Sequence, residues 1–180
     1  MLRLVCVGLH VMSFALGCGG GGSSPGTDAG GPLPDAACGP VDAPGSAQCP
    51  AECTGGCDAD NVCTIECSGL ATCAEDHIVC PPDYACLIRC VGHDACDSGR
   101  IDCPDLAACT VVCDGVDGCG DQSVTCGRGP CTVQCGADPA ACTGMNVHCG
   151  PGPCAASCDG TSKPYELVGC ADACSCSECP

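Results

Sequence analysis

The chain has 180 residues, of which 28 are cysteine, 27 glycine and 15 proline, while the aromatic residues are limited to Phe14, Tyr84 and Tyr165. The formal charge of −17 excludes nucleic acid as a partner, because phosphate recognition needs a basic footprint. A buried large side chain contributes roughly 1.5–3 kcal/mol, and too few are present for a conventional core; cysteine at this density points instead to a disulfide scaffold in an exported protein.

The first segment, MLRLVCVGLHVMSFALGC, places Arg3 before an apolar stretch from Leu4 to Leu16. That stretch falls short of the ~20 apolar residues a membrane-spanning helix needs, and it fits the charged and apolar regions of a signal peptide over residues 1–17. Its end, Ala15-Leu16-Gly17-Cys18, resembles the lipobox of bacterial lipoproteins, with Ala15 where leucine is usual. The resemblance implies lipidation at Cys18 and a membrane partner reached through that anchor. Gly19 after the anchor implies, by the same analogy, the outer membrane of a Gram-negative bacterium. Residues 18–48 are glycine, proline and small polar residues, a composition expected to form a flexible tether.

From Cys57 onward the sequence repeats every 23 residues. Cys57, Cys80, Cys103, Cys126 and Cys149 form one column; Cys63, Cys86, Cys109, Cys131 and Cys154 a second; Cys67, Cys90, Cys113, Cys135 and Cys158 a third; Cys73, Cys96, Cys119 and Cys142 a fourth. The fourth unit loses one residue in one gap and regains it in another. Each unit carries a motif such as CTIEC or CTVVC, whose alternation is that of a strand: Cys109, Val111 and Cys113 are expected inward, Thr110 and Val112 outward. A shorter alternation precedes each first-column cysteine, as in Ile78 with Cys80 and Ile101 with Cys103. Gly69, Gly92 and Gly115 lie two residues past the third cysteine, where a corner with positive φ is expected.

Short strands, glycine corners and a constant period predict a mainly β fold, a small parallel β-solenoid of about five coils over residues 49–169 with a cysteine-rich cap at 170–180. At the spacing of neighbouring strands its length is about 24 Å. The pattern resembles cysteine-rich parallel β-helices; a string of small disulfide-rich modules is the alternative architecture.

With Cys6 in the signal peptide and Cys18 lipidated, 28 − 2 = 26 cysteines remain, enough for thirteen bridges. Two cysteines in one extended strand, such as Cys109 and Cys113, lie about 13 Å apart, too far to pair. Pairing inside each coil, across its interior, uses two bonds per unit and is the expected arrangement, with Cys170 standing in for the missing fourth cysteine of the last coil. The competing chemistry is metal binding by thiolates of Cys170, Cys174, Cys176 and Cys179, whose C-x-C and C-x-x-C spacings suit soft metals.

No catalytic motif emerges. His77 falls in register with Arg100, Ser123 and Asn146, and His148 with Thr125, Asp102 and Val79, both in outward columns. Glu66 and Arg89 form an exposed ion pair one period apart. Asp114, Asp117 and Asp121 lack the spacing of known calcium loops, and the threonine column of Thr64, Thr110 and Thr132 is interrupted by Leu87 and Ala155. The expected function is that of a cell-envelope lipoprotein with a structural or surface-interaction role, no cofactor and an envelope or cell-surface partner; the alternative is a metal-buffering lipoprotein.

Overall fold

The computed structural model describes Cys38 and residues 42–180. The expected signal peptide, the lipidation residue Cys18 and most of the tether lie outside the described residues. The chain winds as a parallel β-solenoid of about five coils, each contributing one strand to each of two sheets. Strands are numbered in chain order. The larger sheet runs β1 (Gly56–Cys57), β2 (Val62–Ser68), β4 (Ala85–Val91), β6 (Cys109–Asp114), β8 (Cys131–Cys135), β10 (Cys154–Cys158) and β12 (Cys176–Ser177). The smaller runs β3 (His77–Val79), β5 (Arg100–Asp102), β7 (Ser123–Thr125), β9 (Asn146–His148) and β11 (Glu166–Val168). All pairs are parallel except β1 with β2. No α-helix occurs among the described residues, and Cys170–Asp172 forms a single 3-10 turn.

The register follows the 23-residue period, except that β6 to β8 and β10 to β12 advance by 22 residues and β9 to β11 by 20. Ile65, Ile88, Val111, Val133 and Ala156 stack as one inward ladder, and Ile78, Ile101, Val124, Val147 and Leu167 as the other. All ten are buried and belong to one core cluster with the cysteines. The alternation in β6 is the expected one, with Cys109, Val111 and Cys113 buried and Thr110 and Val112 partly exposed. One aliphatic side chain per strand makes a thin core, so the corners matter more than in most β proteins.

The first corner of each coil, from the larger to the smaller sheet, is itself hydrogen-bonded to the next. The N–H groups of Gly69, Ala71, Cys73 and Glu75 donate to the carbonyls of Val91, His93, Ala95 and Asp97 at 2.7–3.0 Å. Gly92, Asp94, Cys96 and Ser98 do the same to Asp114, Val116, Gly118 and Gly120. The corner turns through left-handed residues at fixed positions: Gly69, Gly92 and Gly115, then Ala71, Asp94 and Asp117, then Glu75, Ser98 and Asp121. Aspartate tolerates this conformation better than most non-glycine residues, so part of the acidity of this corner is dictated by the backbone. At Gly115 (φ 135°) a Cβ would also meet the Gly92 carbonyl oxygen at 2.6 Å.

The second corner takes the shortening in the fourth coil, which its first corner makes up with one extra residue. Gly127 and Gly129 press on the carbonyls of Pro104 and Ala107, and Gly150 and Gly152 on those of Gly127 and Arg128, so closely that a Cβ would collide with backbone. The Gly-x-Gly-Pro corners are therefore the short ones. Residues 42–48, expected in the tether, are packed on the solenoid instead. Gly45 N–H donates to the Asp83 carbonyl at 2.8 Å, Asn61 Nδ2 to the Ala43 carbonyl at 3.0 Å, and Ser46 N–H to the buried Tyr84 hydroxyl at 2.9 Å.

Gln122 is fully buried with neither amide atom partnered. One period later Met145 fills the equivalent interior position, also fully buried. Leaving a buried polar group unpaired costs about 1–3 kcal/mol, so Gln122→Met is expected to raise stability by about 1–2 kcal/mol. Gly115→Ala is expected to lower it by about 2–3 kcal/mol. Urea unfolding of the oxidised proteins measures both; a less stable Gln122→Met variant would contradict the first.

Candidate functional site

The cysteine columns are brought together as thirteen disulfides, with Cα–Cα separations of 5.2–6.1 Å. Cys67–Cys73, Cys90–Cys96, Cys113–Cys119 and Cys135–Cys142 close the first corners. Cys80–Cys86, Cys103–Cys109, Cys126–Cys131 and Cys149–Cys154 close the second. Pairing is thus within each coil, two bonds per repeat, but the bridges span corners rather than crossing the interior. The reason is geometric: a corner returns the chain on itself within five to seven residues, while facing sheets lie about 10 Å apart, beyond disulfide reach.

Both ends depart from the repeat. Cys57 and Cys63 are cross-strand neighbours in β1 and β2 yet bond to Cys49 and Cys53 respectively, building an N-terminal cap. At the other end Cys170 does not take the fourth-column role expected of it. Cys158 bonds to Cys179, and Cys170 bonds to Cys176 at the six-residue spacing of the second corners. Cys176 continues the second column, directly over Cys154. Cys174 bonds to Cys38, 136 residues away. The four tail cysteines considered as metal ligands are therefore all sulfurs of disulfides and, as folded, offer no thiolate. Three sets of cysteine sulfurs do converge within 4.8 Å, Cys49 with Cys53 and Cys57, Cys103 with Cys126 and Cys131, and Cys149 with Cys170 and Cys176, because neighbouring bridges stack.

The outward columns fall where the period places them. His77, Arg100, Ser123 and Asn146 align, as do Val79, Asp102, Thr125 and His148. His77 Nε2 lies 2.7 Å from Asp102 Oδ2, and Arg100 Nε donates to Asp102 Oδ1 at 2.8 Å. Partial burial pushes the Asp102 carboxyl up, but the hydrogen bonds and charges of Arg100 and His77 outweigh it and hold it below 3.8. Arg128 reaches Asp105 one coil earlier at 2.7 Å, and its hydrogen bond lowers that carboxyl too. Glu66 and Arg89 approach to 3.3 Å with both side chains exposed, a pair of little energetic weight. Thr64, Leu87, Thr110, Thr132 and Ala155 form one outward column on the larger sheet.

The first corners form an acidic wall. Glu75, Asp76, Asp94, Asp97, Asp114, Asp117, Asp121 and Asp138 lie on it, with no Lys or Arg in residues 68–76, 91–99, 114–122 or 136–145. A shallow cavity of about 460 Å³ opens beside it, lined by Val112, Asp114, Gln134, Gly136, Ser157 and Asp159. Comparison of the chain with protein-family models, curated proteins and solved structures finds no match in any of the three.

Many disulfides of this kind suggest folding in an oxidising, extracytoplasmic environment. Full reduction is expected to add 26 hydrogens, about 26 Da, to these residues and to abolish the β-sheet circular dichroism; a spectrum unchanged under reduction would contradict the structural weight given to the bridges. Because the folded Asp102 value lies below the unfolded one of 3.8, its contribution is present above that pH and is lost as pH falls through the folded value. Arg100→Gln is expected to flatten the fall in stability below pH 4, read by urea titration across pH; superimposable profiles would argue against the pairing.

Proposed function

We propose that this protein is an exported, lipid-anchored rod of the cell envelope with a structural or surface-interaction role. The observation that carries the reading is the set of thirteen disulfides, which suits an oxidising compartment outside the cytoplasm, and among them the Cys38–Cys174 bridge. It ties the chain leading from Cys18 to the C-terminal end of the solenoid, where Cys174 N–H also donates to the Pro151 carbonyl at 3.0 Å. The anchor and Cys38 are 20 residues apart, a contour of at most about 70 Å.

The rest of the molecule suits that task. Coils stapled at both corners and hydrogen-bonded along their length resist local unfolding, and proteolysis requires such opening. Outward columns differ from coil to coil while inward columns stay constant, as expected of a scaffold that presents a surface. The acidic wall keeps the rod soluble and self-repelling.

The test is partitioning of the full chain expressed in a Gram-negative host. The native protein is expected in the detergent phase and outer-membrane fraction, with a diacylglycerol mass increment on the peptide beginning at Cys18. Cys18→Ser is expected to be soluble in the periplasm with its solenoid disulfides intact. Native protein found soluble and unlipidated would overturn the anchor.

A further inference from the structure

The two ends of the solenoid are unlike. Through the middle of the first corner the inter-coil hydrogen bonds run N–H toward the following coil, as from Ala71, Cys73 and Glu75, while at its edges they run the other way, as from Gly136 to Cys113 and from Arg100 to Asp76. At the N-terminal end the middle of the first corner is therefore left, among the described residues, with unpaired carbonyls. The C-terminal end is closed over the larger sheet, while β11 at the edge of the smaller one pairs only with β9. Cys142 N–H donates to the buried Ser162 hydroxyl at 2.8 Å, and Cys154 N–H to the Ser175 carbonyl at 2.9 Å. β12 lies over β10, and three bridges pin the tail.

The N-terminal end is covered over β2 by β1 but open elsewhere. Among the described residues nothing donates to the carbonyls of Leu70, Thr72 and Ala74, the counterparts of the filled acceptors His93, Ala95 and Asp97. β3 pairs only with β5. Arg100 N–H donates to the Asp76 carbonyl, and Cys80 N–H to that of Asp102, so residues 76, 78 and 80 turn their backbones to β5. Alternation then directs both polar groups of His77 and Val79 to the open side.

Side chains add selectivity to this edge. A cavity of about 250 Å³ sits there, lined by Glu52, Ile65, Cys73, Asp76, His77, Ile78 and Val79. Leu70 is 76% exposed and Val79 53%. The charge is mainly negative: residues 42–88 hold Asp42, Glu52, Asp58, Asp60, Glu66, Glu75, Asp76 and Asp83 and no Lys or Arg, and the nearby Arg89 and Arg100 are paired with Glu66 and Asp102.

We propose that the N-terminal end is a docking site for an extended, positively charged peptide segment of another protein, which adds as a strand to the open edge of the first coil. The segment donates its N–H groups to the carbonyl row and to β3, places an apolar side chain between Ile65 and Val79, and sets basic side chains against Glu75, Asp76 and Glu52. Strand addition supplies affinity through the backbone and selectivity through alternate side chains. A second copy of this chain is disfavoured by charge, because both copies carry the same net −17 and repel each other. The site is independent of the lipid anchor.

The probe is the heptapeptide Lys-Ile-Arg-Val-Lys-Ile-Arg, titrated into oxidised Cys18→Ser protein by calorimetry, with hydrogen exchange to locate it. Binding is expected with protection of the His77 and Val79 amides, and with at least about tenfold loss when alternate peptide amides are N-methylated, as strand addition requires. Glu75→Gln with Asp76→Asn is expected to weaken binding about fivefold, while Asp138→Asn with Asp159→Asn, equal in charge, leaves it within about twofold. Absence of binding, indifference to N-methylation, protection at the C-terminal end, or equal loss in the two double variants would each overturn the proposal. Binding of calcium alone at this end, without the peptide, would overturn it too. So would peptide binding that appears only after deletion of residues 19–37, because the occupant would then be this chain's own leading segment.

Discussion

The rest of the structure depends on corner closure. A solenoid coil is held only if its chain returns to the same register 23 residues later, and here each return is fixed twice by a disulfide across a short loop. In the loop-entropy description a six-residue closure stabilises by roughly 2 kcal/mol and a 136-residue closure by roughly 5 kcal/mol if formed alone. Once the corner bridges exist the long loop is effectively much shorter, so Cys38–Cys174 contributes less than that figure and acts mainly to fix where the leading chain is attached. The corner bridges take the place that large side chains hold elsewhere, against a net domain stability of about 5–15 kcal/mol.

Closure also explains how the fourth coil keeps the period. Its second corner spans Cys126–Cys131, one residue shorter than Cys103–Cys109, and its first corner Cys135–Cys142, one residue longer than Cys113–Cys119. The shortened corner brings backbone so close to its neighbour that Gly127 and Gly129 are required, and the next coil repeats the solution with Gly150 and Gly152. The strands between corners remain in register throughout, with Cys113 over Cys135 and Cys109 over Cys131. A change of length is absorbed in a corner because a one-residue slip in a strand would turn every side chain to the wrong face.

Much of this architecture is legible in the amino-acid sequence. The period, the inward alternation of Val111 between two cysteines and the outward columns of His77 and His148 follow from local pattern repeated five times, and the glycine corners from one repeated three times, at Gly69, Gly92 and Gly115; repetition makes a weak signal strong. The ends are not legible because they occur once. Nothing local marks Cys57 for Cys49 rather than for Cys63, its cross-strand neighbour. The tail holds one usable clue: Cys170 and Cys176 have the six-residue spacing of the second corners, which identifies a continuation of the repeat rather than a metal cluster. Tyr84 is the other clue, since a buried tyrosine hydroxyl needs partners, and those partners are Ser46 and Gln48.

By itself the sequence determined the coil: its length, its inward and outward faces, and the rule that cysteines pair within it. These are properties of neighbours along the chain, imposed by strand periodicity and by the reach of a disulfide. Only the tertiary structure decided the ends. Which cysteine closes the N-terminal cap, where Cys38 is tied, that Gln122 lies buried without partners, and that one end is left with open carbonyls all depend on groups distant in sequence meeting in space. The physical reason is that an end coil lacks one neighbour: the carbonyls of His93, Ala95 and Asp97 are filled by the coil before them, while those of Leu70, Thr72 and Ala74 have no earlier coil among the described residues to fill them.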